Sequence, residues 1–112
     1  MKIAIPTANN KLCMHFGHCE KFVLVHVDEK TNTIVGKEES VPPAHEPGVL
    51  PKWLHEKGAN VIIAGGMGMR AQQLFEQYGI QVVVGAPSDH PQTIALNWLK
   101  GALVTGGNIC DH

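Results

Sequence analysis

Seven consecutive residues, Cys13-Met14-His15-Phe16-Gly17-His18-Cys19, bring together two thiols, two imidazoles and a thioether. Thiolate sulfur and imidazole nitrogen are soft or borderline donors that suit zinc, copper(I), iron-sulfur clusters and mixed-metal clusters. The spacing is that of neither a zinc finger nor a ferredoxin, so it points to a class of cargo and not to one metal. Cys110-Asp111-His112 forms a second group beyond Gly101, Gly106 and Gly107. Fully extended, residues 102–112 span roughly 35 Å, more than the diameter expected of a domain this size, so Cys110 and His112 can reach the first group. His45, in the proline-rich stretch Val41 to Gly48, is a third candidate. The same residues admit a rival chemistry. Cys13 with His15, or His18 with Cys19, has the makings of a thiolate-imidazolium pair for nucleophilic or redox catalysis. No C-x-x-C accompanies it, and Glu20 is the carboxylate close by.

Gly65-Gly66-Met67-Gly68 carries a different signal. Between a strand and a helix, backbone N–H groups and the helix dipole favour an anion, which makes a small anion or nucleotide sensor a second rival function. Gly66, Gly68 and Ala71 satisfy the dinucleotide fingerprint G-x-G-x-x-A. The acidic residue that fingerprint expects at the end of the next strand is missing: Gly85 stands there, with Asp89 further on. A tight turn that needs glycine explains the same residues.

These groups must be positioned by regular elements. Lys2 to Ile5 reads as a buried strand closed by Pro6, followed by a polar loop from Thr7 through His18. Phe22 to Val27 and Thr33 to Lys37 form a hairpin about Asp28 to Asn32. A helix opens at Leu50 with Pro51 in its first turn, buries Leu50, Trp53 and Leu54, and stops at Gly58. Asn60 to Ala64 is a strand. Ala71, Leu74, Phe75 and Tyr78 trace the inner face of a second helix, ended by Gly79. Ile80 to Val84 is the fifth strand. Ser88 or Asp89 is placed to cap a third helix, with Ile94, Ala95, Trp98 and Leu99 inward and Gly101 at its end. The order predicts an α/β fold: a mixed five-stranded sheet with a β-hairpin and three helices, its βαβ crossovers parallel and right-handed. None of the cysteines belongs to this expected core.

With 112 residues, 44% apolar and 17% charged, the chain is expected to fold as one domain over 1–112, with 102–112 as a tail. A net charge of -1 gives no electrostatic reason to bind nucleic acid or an anionic membrane. Val61 to Met69, the longest apolar or glycine run, is about half a membrane span. The first residues are not a signal peptide, so a cytoplasmic location is expected. Three cysteines cannot all pair within one chain, and in a reducing compartment metal binding explains them better than a disulfide framework.

His15-Phe16-Gly17 followed by Phe22 and Asp28, then His45-Glu46-Pro47-Gly48, Ile63-Ala64-Gly65-Gly66-Met67-Gly68, Gly79-Ile80 and Gly101-Ala102-Leu103 resemble the NifX-like family, the iron-molybdenum cofactor biosynthesis domains. The resemblance covers nearly the whole chain. It implies a three-layer ribonuclease H-like motif, and binding or carriage of an iron-sulfur or iron-molybdenum type cluster without catalysis, with cluster donor or acceptor proteins as partners. It also implies that His15 is a cluster contact. Cys13, His18, Cys19 and Cys110-Asp111-His112 are additions to that pattern and fit a subgroup specialised for metal. A nuclease function fails on chemistry, because nucleases of that fold hold two metals with carboxylates on the first strand, and Ile3-Ala4-Ile5 offers none.

Overall fold

The computed structural model describes residues 1–14, 19–43 and 48–106. In chain order these form β1 (Lys2–Ala8), β2 (Lys11–Leu12), β3 (Lys21–Asp28), β4 (Thr33–Ser40), α1 (Val49–Glu56), β5 (Val61–Ile63), α2 (Met69–Gln77), β6 (Gln81–Val83) and α3 (Pro91–Leu99). The strands lie in the order β4-β3-β1-β5-β6, with β2 attached to β1. β1 is antiparallel to β3 and parallel to β5, and β5 is parallel to β6. The expected mixed sheet is therefore present, enlarged by the two-residue β2.

β1 is central because both of its faces are apolar, as a strand covered on two sides requires. Period-two alternation sends Ala4, Phe22, Leu24 and Ile62 to one face, where Leu50 and Leu54 of α1 and Phe75 of α2 close over them. Ile3, Ile5, Val23, Val25, Val61 and Ile63 point the other way, under Ile94 and Ala95 of α3. The result is three layers. Leu54 and Phe75 are fully buried, each burial stabilising the fold by about 1.5–3 kcal/mol. Phe22 also meets Trp53 edge to face at 5.6 Å between ring centres.

Four expectations are corrected. β1 does not stop at Pro6 but runs to Ala8. β5 pairs with Ile3 and Ala4 while β2 pairs with Thr7 and Ala8, so Pro6 falls where the two partners hand over and no ladder donor is missed. The stretch from Thr7 to His18 is not all loop, since it holds β2. Tyr78 is 36% exposed and lies against His55 at 4.9 Å instead of facing the core. Neither Ser88 nor Asp89 caps α3: the N-cap is His90, with no side-chain cap bond. Among the described residues, no helix is long and apolar enough to cross a membrane.

Candidate functional site

The cysteine-rich loop leaves and rejoins the sheet at the carboxyl end of β1, and both of its ends are fastened there. At the entry, Leu12 N–H donates to the Asp89 carbonyl at 2.8 Å, and the Ser88 hydroxyl donates to the Leu12 carbonyl at 3.1 Å. The Ser88 hydroxyl is thus spent on β2 and not on a cap, while the Asp89 carboxylate accepts from the adjacent His90 N–H at 2.7 Å. Cys13 N–H then donates to the Pro6 carbonyl at 2.9 Å. At the exit, Glu20 N–H donates to the Thr7 carbonyl at 2.8 Å, while the Glu20 carboxylate accepts from Asn9 N–H at 3.0 Å. Two adjacent residues of one strand, Pro6 and Thr7, therefore anchor both ends.

This anchoring sets where the thiols go. Leu12 belongs to the core under α3, while Cys19 packs against the core on the side of α1 and α2. Cys13 is buried and Cys19 half-buried, both as thiols and not as a disulfide. Both cysteines are thus packed and not peripheral, which corrects the expectation that they stand apart from the interior. Burial first, and then the neighbouring Cys13, push the Cys19 thiol up to about 11. Cys19 is therefore held in the thiol form at neutral pH, whereas a nucleophilic cysteine needs its pKa lowered.

Gly65 sits beside this loop. A Cβ on it would lie 2.9 Å from Met14 Cα and 3.0 Å from the Met14 carbonyl oxygen, so the glycine is required by close approach of the loop backbone. The parallel ladder continues past the strand ends: Gly85 N–H donates to the Gly65 carbonyl at 2.7 Å, and Gly106 N–H donates to the Gly85 carbonyl at 2.7 Å. A run of backbone contacts therefore links Met14, Gly65, Gly85 and Gly106 across the carboxyl ends of β5 and β6. Of the proposed anion-binding residues, Gly65, Gly66 and Met67 are buried and only Gly68 is partly open. The Met67 carbonyl accepts from the Gln72 side chain at 2.9 Å.

Of the sequence-derived ligands, the structure brings Cys13 and Cys19 together. His15, His18, His45, Cys110 and His112 lie outside the described residues. Among the described residues no three His, Cys, Asp or Glu converge, so the thiol pair supplies at most half of a four-coordinate set. Sequence reasoning missed Met14 as a packing partner and Gly85 and Gly106 as parts of the site's frame. Gly85 carried a signal of its own, a glycine just past a buried strand where the dinucleotide fingerprint expects an acid.

Residues 1–101 match the family described as dinitrogenase iron-molybdenum cofactor. An uncharacterized protein of Methanocaldococcus jannaschii, MJ0580, is 35% identical over 106 residues, covering 92% of this chain and 89% of that one. The crystal structure of PH0822 superposes with a TM-score of 0.85 at 28% identity and covers 94% of each chain. The apo form of the orange protein from Desulfovibrio gigas superposes with a TM-score of 0.73 at 21% identity, covering 96% of this chain and 93% of that one, a likeness of fold.

Proposed function

From the premise that this chain belongs to the dinitrogenase iron-molybdenum cofactor family, we propose that it is a non-catalytic binding protein, a carrier, storage or assembly factor. Its cargo is a metal ion or a metal-sulfur cluster of iron-sulfur or iron-molybdenum type. The single observation that carries the reading is the thiol pair: Cys13 and Glu20, the residue after Cys19, are fastened to adjacent residues of β1, and Cys13 lies near enough to Cys19 to raise its pKa. Thiolates select soft metals and clusters. The remaining positions would be filled by His15, His18, His45, Cys110 or His112, or by inorganic sulfide within a cluster. The hard-to-ionise Cys19 suits a thiol that becomes a ligand only when metal displaces its proton. As a single domain over 1–112 with 102–112 as its tail, the protein would work in the cytoplasm and exchange cargo with a donor or acceptor protein.

The test is elemental analysis of protein purified without air, followed by titration with zinc, copper(I), and iron with sulfide. The expected outcome is stoichiometric uptake of one of these, strongly reduced in Cys13→Ser and Cys19→Ser. Absence of uptake from all three overturns the reading.

A further inference from the structure

β4 stands at one end of the strand order, and among the described residues no strand pairs with its outer side. The opposite edge is β6, only three residues long, and its continuation at Gly85 is engaged by Gly106. β4 runs for eight residues, long enough to present a row of outward N–H and C=O groups as a template for another strand. It is guarded only at its ends. Val35 is left over where the register with β3 shifts between His26 and Val27, and Pro42 and Pro43 follow just beyond Ser40. Between these guards, Gly36 to Ser40 keep unbroken register with β3. Lys37 and Glu39 stand opposite Val25 and Val23, so both lie on the face that carries α3, and both are exposed. Among the described residues Lys37 has no ion-pair partner, while Glu39 has Lys21 at 3.8 Å with both side chains about half exposed. Val35 and Val41, on either side of this stretch, are 66% and 73% exposed.

We propose that the outer edge of β4 is an interface between two copies of this chain: β4 of a second copy adds antiparallel across it, centred on Glu38, so that one sheet runs through both molecules. Two identical strands paired antiparallel are related by a two-fold axis normal to the sheet, which keeps every side chain on its own face, so the pairing must centre on a residue and not between two. Centred on Glu38, Lys37 lies opposite Glu39 of the second copy and Glu39 opposite its Lys37, while Val35 and Val41 meet in the same reciprocal way. Opposite charges and apolar pairs placed directly across from each other are the pairs that stabilise a sheet. Centring on Gly36, Lys37 or Glu39 instead produces no pair of opposite charges, so charge complementarity selects both the occupant and the register. The one like-charged pair is Glu38 with itself, and each Glu38 is already held by its own Lys2 at 3.6 Å and His26 at 3.2 Å. No cysteine takes part, so the interface stands or falls apart from the metal-binding reading.

The experiment is sedimentation equilibrium of the full chain, with reductant and chelator present, from about 1 μM to 1 mM. Wild type should show a monomer-dimer equilibrium within that range. Lys37→Glu sets carboxylates opposite carboxylates across the edge, and Glu39→Lys sets ammonium groups opposite ammonium groups, so each should weaken association by about tenfold or more. Both positions are exposed, so both variants should fold as wild type does. Mixed in equal amounts, the two variants should dimerise with each other, because the carboxylates of one then face the ammonium groups of the other. The double variant Lys37→Glu with Glu39→Lys should return to wild-type association. Molar salt should weaken the wild-type dimer by screening these exposed pairs. Hydrogen exchange should show protection that rises with protein concentration within residues 36–40. A dimer that Lys37→Glu leaves unchanged, a mixture of the two variants that fails to associate, or β4 amides indifferent to concentration overturns the proposal. So does a wild type that stays monomeric throughout, which would leave the edge to a strand of another protein.

Discussion

Cys19 is held as a thiol, and on the proposed metal-binding reading that decides how uptake responds to pH. Burial, and then the nearby Cys13, hold its pKa up to about 11, so at any pH near neutrality a metal must expel a proton to bind it. Affinity is accordingly expected to keep rising through neutral and into alkaline pH, by about tenfold per pH unit for each thiol proton displaced. A competition titration with zinc at pH values of about 6, 7 and 8 measures that slope. Cys19→Ser should lower it by about one proton, and an unchanged slope would remove Cys19 from the site. The half-burial of Cys19 depends on α1 and α2 folding over it from later in the chain, which the spacing of two cysteines does not encode. Packing also changes how the variants must be compared. Cys13 is 9% exposed, so Cys13→Ser places a hydroxyl in a buried site and should lower metal-free stability by about 1–3 kcal/mol by urea unfolding. Its occupancy must be read well below its own melting temperature.

The loop and the glycine turn after β5 are coupled as elements. Gly65→Ala should push the Met14 backbone, with which its Cβ would collide, and so displace the entry to the cysteine loop. Overpacking of this kind destabilises by about 1–3 kcal/mol, and zinc affinity should fall with it. Gly68→Ala, whose Cβ meets nothing within 4 Å, should keep wild-type affinity. Equal affinities in the two variants would show that the turn does not position the loop. The glycines were legible as a turn, and the helices were legible from their apolar faces, Leu50 and Leu54 in one and Ile94 and Ala95 in another. β2 and the fate of Ser88 were not. The Ser88 hydroxyl finds its partner 76 residues earlier, at Leu12. A serine one turn before a helix carries the same local pattern whether it caps or reaches across the molecule, so only tertiary contact distinguishes the two.

At the scale of the whole molecule, β1 separates two groups of side chains at its two ends. Its carboxyl end carries the thiol loop, while its amino end, about 20 Å away along seven residues, carries a charge network. The mixed sheet and its parallel crossovers were legible because such connections leave few arrangements, but the network was not, since its members come from β1, β3, β4 and the end of α1. Glu38 accepts from His26 at 3.2 Å and lies 3.6 Å from the Lys2 ammonium, which itself donates to the Lys57 carbonyl at 2.9 Å. Desolvation works to raise the Glu38 pKa, but the His26 hydrogen bond and the charges of Lys2, His26 and Lys57 outweigh it, and the carboxyl is held below the usual carboxylate range. The folded state thus binds this proton less readily than the unfolded state. Glu38 therefore contributes stability that is present above the ordinary carboxylate pKa and lost as pH falls through the lowered one. Urea unfolding of wild type and Glu38→Gln should separate at neutral pH and converge toward about pH 3. Because the pair is partly exposed, at 33% and 41% for Lys2 and Glu38, molar salt should shrink the separation. Zinc affinity should be the same in both proteins, the network being a strand's length from the thiols. A stability difference that persists at low pH would mean that Glu38 acts by packing and not by charge, and a change in zinc affinity would mean that the two ends of β1 are coupled.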